Sequence, residues 1–190
     1  MGKTNTTIDL VAIGGSAGSL QVIIQMMKHL NTELNVTIII IVHRKSQPNN
    51  ILNMLLQQYS NIEVIEIEDK TELEKNKVYL VPADYHLLFE DEFRVSLDSS
   101  EKMNYSRPSI DVTFRSAAEI FGERMVGILL SGANADGVEG LHYIKKNGGK
   151  AWVQDPETAE VDYMPKQAIH AGEYNLIIKP EDLAAYINEL

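Results

Sequence analysis

The sequence predicts a three-layer, doubly wound α/β fold: a mostly parallel sheet with helices on both faces and a small antiparallel hairpin insertion. Apolar runs rich in β-branched residues recur along the 190-residue chain, and segments with apolar residues at helical spacing separate them. These runs do not alternate with polar residues, which is typical of parallel strands buried on both faces. Each strand and its helix together take about 20 to 30 residues, as in the repeating unit of such sheets.

The first third of the chain predicts strands at residues 8–13, 36–42 and 62–67, with a helix after each of the first two. Gly14-Gly15 ends the first strand in a tight turn. Pro48 is expected in the first turn of the second helix. The apolar residues that mark the two helices by their spacing are Leu20, Ile23, Ile24 and Met27 and, in the second helix, Ile51, Leu52, Leu55 and Leu56.

The middle of the chain has a different pattern, with short strand-like pieces at residues 78–81, 86–89 and 93–97. A tight acidic turn joins the last two pieces, which favours antiparallel pairing. We therefore expect these pieces to form the small antiparallel insertion.

The alternation of helix and strand then resumes. Ser109 is expected to cap a helix that Gly122 closes. Strands are expected at residues 125–130 and 151–154. The other helix limits expected from glycine and proline are Gly148-Gly149, which stops the helix between these strands, and Pro165 and Pro180, which open the last two helices.

Length and composition fit one folded domain, which we place at residues 8–190 after a flexible polar tail at residues 1–7. The longest apolar run, residues 36–42, is far shorter than the roughly 20 residues of a membrane-spanning helix, and the start of the chain is not signal-like. We therefore expect a cytoplasmic protein without membrane insertion. The net charge of -10 gives nucleic acid no electrostatic reason to bind.

The residue inventory also limits the chemistry. Cysteine is absent, so a disulfide, a thiol nucleophile and a thiolate metal site are excluded. Nothing near His29, His142 or His170 completes a metal-ligand spacing. We therefore predict no metal and no cofactor.

Three polar residues lie just past the ends of predicted buried strands: Ser16, His43 and Asp136. Since the carboxyl ends of parallel strands meet at one edge of a sheet, these side chains are expected to converge there. Ser16 stands in Gly-Gly-Ser-Ala-Gly at residues 14–18, which is the G-x-S-x-G spacing of a nucleophile elbow. His43 can then act as its base and Asp136 as the group that orients the base. Backbone N–H groups after Ser16 and in the loop at residues 131–136 are candidates for binding an oxyanion.

The same residues also have plainer interpretations. The glycine-rich turn is typical of a phosphate-binding loop too, although Ser16 and Ser19 replace two glycines of G-x-G-x-x-G and no lysine follows at the P-loop position. His43 alone would suit a polar residue at a strand end, and Asp136 alone would suit a helix cap. The pattern of residues by itself leaves these alternatives open.

From Ile8 onward the chain resembles the catalytic domain of the chemotaxis-receptor glutamate methylesterases, the CheB family. The blocks that carry this resemblance are VAIGGSAG at residues 11–18, VH at 42–43, VPA at 81–83, RPSIDVTF at 107–114, LSGANADG at 130–137, MP at 164–165 and AI at 168–169. The resemblance implies that Ser16 is the nucleophile, His43 the base and Asp136 the orienting acid. It also implies that backbone N–H groups of Ala17 and Ala133 are the oxyanion donors.

By the same resemblance, the expected activity is hydrolysis of glutamate γ-methyl esters on the cytoplasmic helices of methyl-accepting chemotaxis receptors, through an acyl-enzyme. Deamidation of receptor glutamine would follow the same route. Arg107, His86, Asp155 and Met164 fall in segments that resemble the family pattern and are candidates for lining the cleft. Ser109 and Asp111 are expected to act as helix N-terminal residues without a catalytic role.

The sequence also departs from the family pattern. Ala17 is followed by Gly-Ser where the family commonly has Gly-Gly, and Ser131-Gly132-Ala133-Asn134 stands where it often has Thr-Gly-Met-Gly. Typical members carry an N-terminal receiver domain, whereas this sequence begins directly with the first strand of the catalytic domain. A separate receiver or regulatory protein is therefore left open as a partner.

Two alternatives to receptor demethylation remain at this point: a same-fold esterase or amidase acting outside chemotaxis, and a non-catalytic domain that binds a nucleotide or a partner. Receptor helices in the family are usually glutamate-rich, and long-range repulsion from an acidic enzyme would slow their encounter. A local basic rim is therefore expected, with Arg44, Lys45 and Arg107 as candidates.

Overall fold

The structure, a computed structural model, describes residues 5–46 and 50–190. The described residues contain nine strands. In chain order they are β1 (Leu10–Gly15), β2 (Thr37–Val42), β3 (Val64–Glu66), β4 (Val78–Leu80), β5 (His86–Phe89), β6 (Val95–Asp98), β7 (Met125–Leu129), β8 (Lys150–Gln154) and β9 (Leu176–Ile178). Seven of them form one parallel sheet in the order β3-β4-β2-β1-β7-β8-β9, and β5 and β6 form a separate antiparallel hairpin.

Helices cover both faces of the parallel sheet. In chain order they are α1 (Ser19–His29), α2 (Ile51–Tyr59), α3 (Ile110–Phe121), α4 (Val138–Lys146), α5 (Tyr163–His170) and α6 (Pro180–Asn188). Buried residues of α1, α2 and α6 share one apolar core with one face of the sheet. Buried residues of α3, α4, α5 and the hairpin share a second core with the opposite face. The three-layer arrangement predicted from the sequence is therefore confirmed.

The positions of β1 and β2 at the centre of the sheet determine which loops meet at its carboxyl edge. Every residue of β1 and β2 is buried, because each strand is covered by helices on both faces. β1 lies between β2 and β7, with Gly15 opposite Val42 and Gly14 opposite Leu129. The chain order reverses between β1 and β7, which makes this the topological switch point, where ligands bind in open α/β sheets. The loops after β1, β2 and β7 all leave at this point.

The long helix α3 shows the capping chemistry that its sequence predicts. Ser109 is its N-cap, and the Ser109 hydroxyl accepts a hydrogen bond from the backbone N–H of Val112. Gly122 follows the last residue of the helix with φ of 54°, a conformation that favours glycine. Both predicted ends of this helix are confirmed.

The structure corrects three details of the sequence prediction. Residues 78–81 were expected in the antiparallel insertion, but Val78–Leu80 is a buried parallel strand between β2 and β3. The run at residues 78–81 is short, and its parallel pairing comes from its neighbours β2 and β3 in the sheet. The edge strand Leu176–Ile178 was not predicted, and Pro165 is the third residue of α5 rather than its opening residue.

Two expectations fall on parts of the chain outside the described residues. Pro48 was expected in the first turn of α2, and it lies outside them. The tail predicted at residues 1–7 is described only at residues 5–7, which are exposed and have no regular secondary structure. In the described ranges, no helix is long and apolar enough to cross a membrane.

Candidate active site

Backbone hydrogen bonds hold the three loops together at the carboxyl edge of the sheet. The N–H of His43 donates to Gly15 O at 3.1 Å, which continues the β1-β2 ladder one residue beyond the strand. The N–H of Ser16 donates to Ser131 O at 2.9 Å, and the Ser131 hydroxyl donates back to Ala17 O at 2.7 Å. These bonds fix the Ser16 turn against the loop after β7.

His43 and Asp136 form a short hydrogen bond across this edge. Nε2 of His43 lies 2.6 Å from Oδ2 of Asp136, although 93 residues separate them in the chain. The Asp136 side chain is fully buried, and the His43 side chain is 12% exposed. The ring is therefore held from the protein interior while part of it remains open to solvent.

Asp136 is held as an ionised acceptor by four hydrogen bonds. Its Oδ2 accepts from His43 and from the N–H of Ile110 at 2.7 Å. Its Oδ1 accepts from the Ser109 hydroxyl at 2.9 Å and from the N–H of Asp111 at 3.0 Å. Burial alone would raise the pKa of Asp136, but the bond from His43 and those from the two backbone amides hold it below its ordinary value. Since the carboxylate only accepts, His43 donates from Nε2 and its Nδ1 is left as the basic nitrogen.

The first turn of α3 contributes to this arrangement in a way that the sequence did not indicate. Ser109, Ile110 and Asp111 all donate to Asp136, whereas Ser109 and Asp111 were expected only to shape the start of a helix. The helix points its positive end at the carboxylate, which stabilises the negative charge. The sequence did mark residues 107–114 as a block that resembles the family pattern. It did not indicate that the helix starting in this block would face the loop that carries Asp136.

Asp111 is a second carboxyl group beside Asp136. Its Oδ1 accepts from the N–H groups of Gly137 and Gly140 at 2.8 and 2.7 Å, at the start of α4. Burial raises the pKa of Asp111 to about 7, and the adjacent Asp136 charge adds to the effect despite the two amide donors. Asp111 therefore connects the first turns of α3 and α4 around Asp136.

Ser16 and His43 line one cavity of about 350 Å³. The remaining lining is mainly apolar, from α1, α2 and the end of β2, including Leu20, Val42 and Leu55. Within residues 5–46 and 50–190, no hydrogen bond joins the Ser16 hydroxyl to His43. Catalytic hydrogen bonds are often long in unliganded sites and tighten only when substrate is bound. The structure thus brings His43 and Asp136 into contact and places Ser16 on the same cavity.

Asn134 lies beside the free face of the His43 ring. Its Nδ2 is 3.5 Å from Nδ1 of His43, and its Oδ1 accepts from the N–H of Asp136 at 3.0 Å. The contact with the ring is long, so it is weak. This weak contact leaves Nδ1 able to accept a stronger hydrogen bond.

Two backbone N–H groups in the loops that meet at Ser16 are without an acceptor in the described part of the chain. Among the described residues, the N–H groups of Ala17 and Ala133 have no acceptor, while those of Ser16 and Gly132 donate to Ser131 O and Val161 O. A Cβ atom on Gly132 would lie 2.5 Å from Met164 Cε and 3.0 Å from Ser16 Cβ. Glycine at this position lets the loop that carries Ala133 pack directly against Ser16.

The other predicted cleft residues have different surroundings. Arg44 lines the cavity of Ser16, and Arg107 lines a neighbouring one that also contains His43. Met164 is fully buried behind Gly132 and supports the loop from inside.

His86 is also buried: its Nδ1 accepts from the N–H of Ser109, and its Nε2 donates to Glu101 O at 2.8 Å. Asp155 caps a short helical turn by accepting from the N–H of Glu157.

The part of the chain that the structure describes has no group of three or more His, Cys, Asp or Glu residues that could hold a metal ion. His43 and Asp136 are in contact and Ser16 lines the same cavity as His43, so a hydroxyl, an imidazole and a carboxylate lie together at the carboxyl edge of the parallel sheet. This combination on an α/β fold is typical of serine hydrolases.

Comparison with known proteins gives the family. The sequence model of the family described as CheB methylesterase matches residues 11–187. The chain therefore belongs to the CheB methylesterase family.

Individual relatives agree with this result. The crystal structure of the Thermotoga maritima CheB methylesterase catalytic domain superposes with a TM-score of 0.91 at 29% identity, covering 96% of this chain and 98% of that one. A relative from Leptospira interrogans is 38% identical over 176 residues, which cover 93% of this chain and 91% of the relative. The Pyrococcus abyssi protein-glutamate methylesterase/protein-glutamine glutaminase is 31% identical, with 91% of this chain and 48% of the relative covered. The chain thus spans about half the length of the Pyrococcus relative.

Proposed function

We propose that this chain is a serine esterase that removes methyl groups from glutamate γ-methyl esters of methyl-accepting chemotaxis receptors. The observation that carries the proposal is the buried 2.6 Å bond between His43 and Asp136, beside a cavity that Ser16 also lines. The name of the Pyrococcus relative, protein-glutamate methylesterase/protein-glutamine glutaminase, supports both a methylesterase activity and a glutaminase activity on protein substrates. Because the substrate segments are the cytoplasmic helices of receptors, we place the enzyme in the cytoplasm.

The first half of the proposed reaction forms an acyl-enzyme. Ser16 Oγ attacks the ester carbonyl carbon while Nδ1 of His43 takes the hydroxyl proton. The carbonyl oxygen becomes an oxyanion that accepts hydrogen bonds from the N–H groups of Ala17 and Ala133. The intermediate then collapses, the C–O bond to the methoxy group breaks, and His43 returns its proton so that methanol leaves.

The second half releases the product. A water molecule attacks the acyl carbon and gives its proton to His43, the bond to Ser16 breaks, and the serine recovers its proton from His43. The product is a receptor glutamate. With a glutamine substrate the leaving group is ammonia, and the second half is identical. Throughout, Asp136 keeps the His43 ring in one tautomer and stabilises its positive charge.

The test is methanol release from methylated receptor. Wild-type protein is expected to release methanol, and Ser16→Ala is expected to lose several powers of ten in rate because a triad without its nucleophile cannot form the acyl-enzyme. Thr7→Ala is the control, since it removes a hydroxyl from an exposed residue that precedes β1, at the edge of the sheet opposite the site. Equal rates for wild-type and Ser16→Ala would rule the mechanism out.

The choice of substrate needs its own comparison. Protein that is inactive on methylated receptor but hydrolyses small neutral esters, with loss of that activity in Ser16→Ala, would indicate an esterase acting outside chemotaxis. Absence of turnover on both substrates would favour a binding domain. A separate receiver or regulatory protein as controlling partner stays a prediction.

A further inference from the structure

A second cavity adjoins His43, and its charge is opposite to that of the whole chain. It has a volume of about 310 Å³, and four cationic side chains line it: Arg44, Lys45, Lys102 and Arg107. One carboxyl group, Asp84, lines it with them. The chain as a whole has 27 acidic residues against 17 Lys and Arg. We call this cavity, with its four cations, the cationic cleft.

The protein itself neutralises little of this positive charge. In the described ranges, Lys45, Lys102 and Arg107 form no ion pair, and Arg44 reaches Glu66 only at 3.6 Å. Elsewhere, cations such as Lys75 and Arg124 are paired with carboxylates at 2.7 Å or less. The cationic cleft therefore keeps a positive potential that an anion can satisfy.

Both arginines of the cleft are held in place and retain unused donors. Nη1 of Arg107 donates to Ser99 O and Ser100 O at 3.0 and 2.9 Å, and Nη2 of Arg44 makes a long bond of 3.4 Å to Val81 O. Within the described residues, Nη1 of Arg44 and Nη2 of Arg107 donate to no acceptor, so each guanidinium keeps one terminal nitrogen for a ligand. A guanidinium fixed by one nitrogen loses less rotamer entropy on binding, and its fork matches the geometry of a carboxylate.

We infer that the cationic cleft binds a carboxylate of the polypeptide substrate, from an acidic residue near the esterified glutamate. The cleft and the Ser16 cavity share His43, so a carboxylate bound in the cleft lies close to the reacting ester. A methyl ester is neutral and gains nothing from four cations, whereas a neighbouring glutamate or aspartate does. This selects acidic peptides over isolated esters. The inference rests on the proposed function and adds a substrate preference to it.

The test uses two synthetic peptides, each with one glutamate γ-methyl ester. In one peptide the four residues on either side include glutamates, and in the other glutamines replace them. The quantity measured is the ratio of kcat/KM for the acidic peptide to kcat/KM for the neutral one. For wild-type protein we expect a ratio of about 10 or more at low salt, arising mainly from KM, that falls as salt screens the charges.

Lys102→Gln is the informative variant, because Lys102 is exposed and its replacement leaves the fold intact. The ratio is expected to fall about 3- to 5-fold, which is the effect of losing one exposed charge pair. Arg107→Gln should lower it further, since a held guanidinium binds a carboxylate more strongly than an exposed ammonium does. Lys150→Gln is the matched control: it removes the same charge at the start of β8, at the opposite edge of the sheet, and should keep the wild-type ratio.

The outcomes separate this inference from the proposed function. Methanol release from both peptides with equal kcat/KM, or a ratio that Lys102→Gln and Lys150→Gln change equally, would overturn the cleft assignment and leave the esterase intact. Absence of release from both peptides, or release that persists in Ser16→Ala, would overturn the proposed function itself.

Discussion

The backbone N–H of Asp111 donates to Oδ1 of Asp136 at 3.0 Å, and the half-buried carboxyl group of Asp111 lies beside the fully buried one of Asp136. Their environments differ. The pKa of Asp111 rises to about 7 through burial and the Asp136 charge, whereas His43 and two backbone amides outweigh burial and hold the pKa of Asp136 below its ordinary value. The negative charge is thereby concentrated on the carboxyl group that contacts His43.

Replacing Asp136 with asparagine tests the role of that charge. An amide cannot stabilise the His43 cation and favours the wrong tautomer, so we expect Asp136→Asn to lower kcat by roughly 1,000- to 10,000-fold. It should also lower the free energy of unfolding by about 2 to 4 kcal/mol, because an amide nitrogen replaces one acceptor oxygen and leaves two buried donors unpaired. Methanol release and urea unfolding measure the two effects. A folded Asp136→Asn protein with kcat within tenfold of wild type would contradict the assignment.

Ser109 is expected to act as a positioning residue. Its hydroxyl donates to Asp136 and also accepts from the N–H of Val112. Ser109→Ala should lower kcat about tenfold with KM nearly unchanged, since it removes one hydrogen bond that orients the carboxylate. It should also cost about 1 kcal/mol of stability through the lost helix cap. Ser109→Thr retains the hydroxyl and should recover most of kcat; a threonine variant as slow as the alanine variant would argue against the hydroxyl.

Asp111 gives a stability signature that depends on pH. Its pKa is about 7 in the folded protein, against an ordinary value of 3.8. The folded state thus binds the proton more tightly, and this contribution to stability is full below pH 4 and is lost as pH rises to 7. Asp111→Asn removes the titration and keeps an acceptor for the Gly137 and Gly140 amides.

The measurement for Asp111 is Tm against pH for both proteins. We expect the wild-type Tm to fall relative to that of Asp111→Asn between about pH 4 and pH 7, by about 3 °C or more. Tm curves that run parallel across this range would show that Asp111 does not titrate as expected.

Met164 supports the site from inside the protein. It is fully buried, and its Cε and Sδ lie against Gly132. Met164→Ala leaves a cavity and is expected to reduce the free energy of unfolding by about 2 to 5 kcal/mol. Met164→Leu nearly conserves the volume and should cost less than about 1.5 kcal/mol. Urea unfolding of the two variants checks this, and equal losses would mean that packing against Gly132 is unimportant.

The central strands and the three strand-end residues were predictable because their signals are local. The run at residues 36–42 and the G-x-S-x-G spacing around Ser16 need no knowledge of distant segments. The three donors that residues 109–111 supply to Asp136 were not predictable, because they lie 25 to 27 residues earlier in the chain and only the packing of α3 on the loop after β7 brings them there. Similarly, Val78–Leu80 owes its parallel pairing to neighbours on both sides.

The basic residues near His43 were likewise predictable only in part. The sequence predicts a local basic rim from Arg44, Lys45 and Arg107. The structure places these residues with Lys102 around one cavity that contains His43. Lys102 lies far from the first two in sequence, so its membership depends on how the segment after the β5-β6 hairpin returns to the carboxyl edge of the sheet.

The most direct test of the account is to trap the acyl-enzyme. Wild-type protein mixed with excess p-nitrophenyl acetate and quenched with acid should gain the mass of one acetyl group, and peptide mapping should place that group on Ser16. Ser16→Ala should show no such adduct, and Asp136→Asn should form it much more slowly. An acetyl group found at the same level in Ser16→Ala would contradict the claim that Ser16 is the nucleophile.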